Sequence, residues 1–280
     1  MSIITSLFTR LSVKSLVIGI LTAFILARPA CSIAAEIAGA PPLPDVPPLS
    51  TLAPAQDLVN QVQVYIKEIE TTLASEQDYK DSGEKIGRCS NTLAVIALCL
   101  GMHDQDNEYK AHAAALLKTS QELAAGTDYQ SAKNAFEKVK AAAEGNIQAQ
   151  AELKWEKVAS LPDLMKQVPN INTKLKRNIK GAKFKSKAKI TSGYTAAIAA
   201  IALGSIADTE KAKNPDEVKQ WYGFSIQMRD AAGEANAAIH AGDELAAAAA
   251  MKKLGQSCDD CHAVFHPSVV ITEETDADGE

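Results

Sequence analysis

The prolines of this 280-residue chain are spread so unevenly that they fix where helices can run. Seven of the 11 lie between Pro29 and Pro54, and none lies between Ala55 and Leu161. A proline inside a helix removes a hydrogen bond and crowds the preceding turn, at a cost of about 3 kcal/mol. The long Pro-free stretch is therefore free to be helical throughout. Composition agrees: the sequence is Ala-rich, 46% hydrophobic and only 5% aromatic, which favours helix over strand. The expected fold class is all-α. A formal net charge of −5 speaks against nucleic-acid binding, which wants a markedly basic surface. No apolar run reaches the roughly 20 residues of a membrane span, so no stable membrane insertion is expected.

The ends read as something other than fold. Residues 1–35 have the form of a signal peptide: Arg10 and Lys14 precede a short apolar run, Ser15 to Ala27, and small residues Ser32 and Ala34 follow. Cleavage is expected near Ala34 or Ala35, with export to the periplasm. Arg28 stands three residues before Cys31, where a lipid-attachment signal would carry Leu. Residues 36–54, with Pro41, Pro42, Pro44, Pro47, Pro48 and Pro54, predict a stiff extended linker. Residues 271–280 predict an acidic disordered tail.

The body repeats itself. Asp57-Leu-Val-Asn-Gln-Val62 answers Asp163-Leu-Met-Lys-Gln-Val168, 106 positions later. Ala94-Val-Ile-Ala-Leu-Cys-Leu-Gly101 answers Ala197-Ile-Ala-Ala-Ile-Ala-Leu-Gly204 at 103, and Ala125-Gly-Thr-Asp128 answers Ala241-Gly-Asp243 at 116. The order and slow drift are those of a duplication with small loop changes. Each copy has room for four helices, near 55–75, 78–101, 106–125 and 128–143, then near 161–181, 184–207, 215–241 and 243–265. Gly126 and Gly242 suit helix ends; Asp128, Asp243 and Asn214 before Pro215 suit helix starts. Pro169 should kink its helix. Short connections favour two tandem up-down-up-down four-helix bundles, at 55–147 and 161–270, with a connector at 148–160.

The residues that carry chemistry are Cys258-Asp-Asp-Cys261-His262. This C-x-x-C-H spacing is the attachment signal of a c-type haem. Two thiols on adjacent turns each add to a porphyrin vinyl group, and the histidine beside them serves as proximal iron ligand. A thioredoxin-like redox pair would want a βαβ setting, and a zinc site two more ligands at regular spacing; neither pattern is present. Cys89 and Cys99, ten residues apart, would sit about 15 Å apart along one helix, too far for a disulfide.

The run Ser257 to His266, ending a four-helix pattern, resembles the cytochrome c-prime family. Cys258, Cys261, His262 and Phe265 stand in that family's places, while His266 stands where the family commonly has Arg or Lys. The resemblance covers about 105 residues, Leu161 to Phe265, and its specific part is the one motif. It implies one covalent haem c in the second bundle, held by Cys258 and Cys261, packed by Phe265 and ligated by His262. The family's sixth ligand is either missing or a Met from the first helix, which makes Met165 the candidate distal ligand; Met228 and His240 are lesser ones. In the first copy Ala143, Asn146 and Ile147 answer Cys258, Cys261 and His262, and Val59 answers Met165. That copy is expected to be a degenerate, haem-less bundle.

Leu164 to Ala207 holds nine basic residues and no acid, eight of them from Lys174 to Lys189. The stretch is a solvated face or a docking surface for an acidic redox partner. No catalytic constellation for an enzyme is visible. The function expected is exported electron transfer. A five-coordinate gas-binding haem protein and a partner-binding module with a supporting haem are the alternatives, and a homodimer stays open.

Overall fold

In the computed structural model, which describes residues 37–149 and 151–268, every regular element is helical. The first half contains α1 (Ala55–Thr72), the short α2 (Glu76–Ser82), α3 (Glu84–Met102), α4 (Ala113–Ala124) and α5 (Tyr129–Ala143). The second contains α6 (Leu161–Asn178), the short α7 (Ala182–Ser186), α8 (Ala188–Ile206), α9 (Pro215–Ala241) and α10 (Glu244–Phe265). The expected signal segment and acidic tail lie outside the described residues.

Local chemistry sets the helix ends. Asp128 accepts from the Ser131 N–H and the Ser131 hydroxyl accepts from the Asp128 N–H, a reciprocal cap on α5. Asn214 accepts from the Glu217 N–H ahead of Pro215, and Asp243 accepts from the Ala246 N–H. Gly242, at φ +72°, ends α9 in the left-handed conformation that suits glycine. Three expectations need correcting. The third helix starts at Ala113 rather than near 106, because the segment before it closes the end of α3 with its side chains. Asn107 donates to the Leu100 carbonyl and Lys110 to the His103 carbonyl. In addition, the single helices expected near 78–101 and 184–207 are each broken, into α2 and α3 and into α7 and α8; α6 runs unbroken through Pro169. The ring leaves the Met165 carbonyl without its usual N–H partner.

Within each half the long helices pack in chain order, α1–α3–α4–α5 and α6–α8–α9–α10. Between halves the packing is reciprocal: α1 lies on α8, α6 lies on α3, and α3 and α8 meet at the centre. One continuous core therefore spans both halves, with Val62, Ile96, Leu164 and Ile198 all in it. The candidate membrane span recognised by length and composition is α8, but 89% of its apolar window is buried inside the protein. The connector is packed too: Leu153 lies against Gly101, and Gln121 donates to the Val158 carbonyl.

Polar contacts repeat the exchange. Asp57 of α1, 4% exposed, accepts from the Ser192 hydroxyl (3.0 Å), Asn236 (2.8 Å) and His240 (2.7 Å) of the other half. Its counterpart Asp163 of α6 accepts from Asn91 of α3 (3.1 Å). Glu68 and Lys174, also 106 positions apart, meet each other at 2.7 Å. Contact between equivalent residues marks a pseudo-twofold axis.

The Pro-rich stretch is not a free spacer over its described part. Leu49, Leu52 and Ala53 are buried in the core. Ser50 is bonded to Asp104 in the first half, while Leu52 packs on Gly233 and Gly39 on Pro215 in the second. Proline removes backbone donors, so the strap is held by side chains and apolar contact instead of a ladder.

Candidate functional site

Helix α10 buries a narrow stripe, Ala247, Ala250, Leu254 and Ser257, whose three- and four-residue steps match the helical repeat. The stripe continues into the motif. Cys258, Cys261, His262 and Phe265 follow at the same steps, all half-buried. Both thiols are free. Burial raises the Cys258 thiol above its ordinary range and pushes Cys261 up to about 11, with Cys258 beside it adding to the effect. They are thus neutral thiols at neutral pH. Burial lowers the pKa of His262, and His266 lowers it further against the opposing charge of Asp259. Its Nδ1 is buried without a hydrogen-bond partner.

An aromatic wall closes one side. The Phe265 ring meets Trp221 edge-on at 5.1 Å and Phe224 at 6.3 Å. Trp221 is anchored by its Nε1 donating to the Ser205 carbonyl at 2.7 Å. Two helical glycines border the region, Gly223 on α9 and Gly255 on α10, one turn before Cys258. A Cβ on either would meet nothing within 4 Å, whereas Gly204 and Gly233 face close neighbours. Alanine would favour the helix by roughly 0.5–1 kcal/mol at such positions, so the missing side chains leave room that no protein atom uses. The donor set, the orphaned imidazole nitrogen and this space all fit a flat metalloporphyrin against α10.

Among the described residues no group of three or more His, Cys, Asp or Glu is arranged to hold a metal ion. What α10 brings together is two thiols and the His262 imidazole, with the His266 ring 6.0 Å away. Met165 is half-buried at the border of the core that Cys261 and Phe265 also flank. Its helix α6 packs on α8 and α3 and is not paired lengthwise with α10. Of the lesser candidates, Met228 is buried in the core of α9 and His240 is bonded to Asp57. His103 is a buried structural residue, bonded to the Ala53 carbonyl and the Gln105 N–H.

The corresponding region of the first half differs in its backbone as well as in its side chains. Helix α5 ends at Ala143, the position that answers Cys258, and Gly145 at φ +75° turns the chain away. Asn146 and Ile147 are therefore not on a helix at all. Cys89 and Cys99 are buried in α3, both pushed up to about 12 chiefly by that burial, which makes them inert packing groups.

The basic stretch divides. Lys174 is spent at the seam between halves, on Glu68 and over the Tyr194 ring at 5.3 Å. Lys183, Lys185, Lys187 and Lys189 cluster around α7 and the start of α8. That end is tied to the start of α10, where the Gly181 N–H donates to Glu244. His262 lies 18 residues further along α10, about 27 Å at 1.5 Å per residue. The basic cluster thus sits at the far end of α10 from the motif.

No protein-family model matches the chain, and no curated protein or solved structure matches it. Reading the motif alone passes over Trp221, Gly223 and Gly255. The spacing Trp221-x-x-Phe224 on one helix face is the signal that could have pointed to the aromatic wall.

Proposed function

We propose that this protein is an exported c-type cytochrome carrying one covalent haem c and working as an electron carrier. On this reading each half is a four-helix unit, and the second is a haem-bearing unit of the cytochrome c-prime type. The observation that carries it is the α10 stripe: two free thiols one turn apart, an adjacent imidazole with a buried, unpartnered nitrogen, and an uncrowded helix face at Gly255.

Cys258 and Cys261 would hold the group by thioether bonds, and His262 would be the proximal iron ligand. Bound there, the haem supplies a one-electron couple at its iron. The chain's own part is to bind, orient and shield. The helix fixes both thiols and the imidazole on one face. Phe265, Trp221 and Phe224 exclude water from one side, which helps to set the potential. Met165 on α6 is the candidate distal ligand.

The absorption spectrum of the purified protein tests the proposal. Haem absorbance that stays with the chain after denaturation is expected, with a low-spin ferric state that Met165→Ala converts to high spin. A chain purified without covalent haem from a host that matures c-type cytochromes would end the proposal. One observation favours a second reading, a five-coordinate gas-binding haem protein: α6 and α10 are not paired lengthwise, leaving Met165 on a separate layer. A high-spin ferric spectrum in the native chain, with ready carbon monoxide binding after reduction, would select that reading instead.

A further inference from the structure

We propose that the end of the molecule formed by α7 and the starts of α8 and α10 is a docking surface for a bilayer carrying anionic phospholipid headgroups. This end is a packed platform. A second small core, separate from the main one, joins Ile179 at the end of α6, Phe184 of α7, Ala238 and Ile239 of α9, and Ala247 of α10. Phe184 is 2% exposed, so it pins α7 to the ends of α9 and α10 while Lys183 and Lys185 on either side of it stay exposed. The bond from the Gly181 N–H to Glu244, 2.8 Å long, ties the same turn to the first residue of α10.

The platform displays positive charge and apolar surface together. Lys176, Arg177, Lys183, Lys185, Lys187 and Lys189 are all exposed. None of them has an ion-pair partner among the described residues, unlike Lys174. The two acids at the start of α10 are engaged, Asp243 in capping the helix and Glu244 in holding Gly181. Leu245, in the first turn of α10, is 85% exposed, and Ile190, which follows Lys189, is 38% exposed. A leucine left this far in water forgoes the burial that favours it elsewhere. The next outward residues of α10, Ala246, Ala248 and Ala249, carry no charge.

Three features favour a lipid surface over an acidic protein. The charges are nearly all lysines, mobile point charges that suit a fluid layer of phosphates, whereas a defined carboxylate is better met by the fixed fork of arginine. The exposed leucine supplies the apolar contact of shallow insertion between headgroups. The platform also lies at the far end of α10 from His262, so on the haem reading a redox partner belongs at the other end. With a formal net charge of −5, the chain as a whole is repelled by an anionic surface, and attraction requires this end to lead. The contact therefore orients the molecule with the α10 motif away from the bilayer.

Co-sedimentation of the purified protein with vesicles tests this, using phosphatidylcholine containing about one-third phosphatidylglycerol against phosphatidylcholine alone. Binding to the anionic vesicles is expected at about 50 mM salt, with loss at about 500 mM and none to phosphatidylcholine alone. The variant Lys183→Gln/Lys185→Gln/Lys187→Gln/Lys189→Gln should weaken it by about a hundredfold or more, at roughly fivefold per lysine. Removing two exposed charges from the first half, Lys118→Gln/Lys133→Gln, should leave it unchanged. Leu245→Ser should weaken it by about threefold to tenfold, with helical circular dichroism unchanged. A surface for an acidic protein would instead bind soluble polyglutamate as tightly as the vesicles and be indifferent to Leu245→Ser. Either of those results, full binding by the four-lysine variant, or no binding to anionic vesicles would overturn the proposal. The assay reads this surface whether or not α10 carries haem, so its failure is distinguishable from failure of the haem proposal.

Discussion

The two halves agree in their first two long helices and diverge in their last two. Helices α1 and α6 are both 18 residues long, and α3 and α8 both 19. By contrast α4 and α5 have 12 and 15 residues where α9 and α10 have 27 and 22. The matched helices are those packed lengthwise against the other half. A change in either would have to be answered across the seam, because packed interiors transmit a misfit. The outer pair reaches across through single side chains, as Asn236 and His240 of α9 do to Asp57, and is less constrained. It is shorter in the first half and longer where α10 presents the two thiols and the imidazole.

The most severe way to break the comparison is at the motif. Replacing Cys258 and Cys261 together by Ser is expected to abolish covalent haem, read as loss of haem stain on a denaturing gel. The reverse graft, Ala143→Cys with Asn146→Cys and Ile147→His, is expected to gain none, because α5 has ended where the graft begins. A graft that acquires haem would reduce the difference between halves to ligand identity alone.

Next in size is the exchanged aspartate. Asp57→Ala strips Asn236, Ser192 and His240 of a buried acceptor and is expected to cost about 3–5 kcal/mol in urea unfolding. Asp163→Ala, with one contact from Asn91, should cost about 1 kcal/mol. Equal losses would mean that the two ends of the seam are equivalent after all.

How much of this was legible beforehand depends on the scale of the signal. Helix starts at Asp128, Pro215 and Asp243 follow from single capping residues, and those positions agree with the structure. The starts expected for α1 and α6, 106 residues apart, agree to the residue, while both helices end three residues earlier than expected. The exchange of helices between halves was invisible, because it depends on contacts such as Asp57 with Asn236, 179 residues apart, that no local pattern encodes. The Pro-rich strap misled for a related reason. Its prolines report backbone stiffness, whereas its position is set by Leu49, Leu52 and Ser50. At the candidate site the thiols and imidazole were readable from spacing, but the space at Gly255 and the indole behind Phe265 needed neighbouring helices.

A smaller effect separates the paired glutamines. Gln167→Leu orphans the Tyr65 hydroxyl and is expected to cost about 1–2 kcal/mol. Gln61→Leu removes an unpaired amide and should be neutral or stabilising by up to about 1 kcal/mol, with urea midpoints as the readout. A matching loss at Gln61 would show that its amide is satisfied after all.

The smallest concerns how each half grips the strap. Hydrogen bonds from the Ser50 side chain and backbone hold Asp104 down to about 2, well below its ordinary 3.8. A depressed carboxylate contributes stability that is present above the ordinary value and is lost as pH falls through about 2. The group is largely solvated, so the term is expected to stay below about 1 kcal/mol. Asp104→Asn should flatten the stability curve between pH 4 and 2 by that amount, while Gly233, the apolar anchor in the other half, contributes nothing to it.

The meeting of Glu68 with Lys174 has one more consequence. Two copies of the first half would bring glutamate to face glutamate at the axis, and two copies of the second would bring lysine to face lysine. Each half is therefore complementary to the other and mismatched to itself. A substitution at one of these positions acts on its opposite number in the other half, so the two halves fit each other as unlike parts.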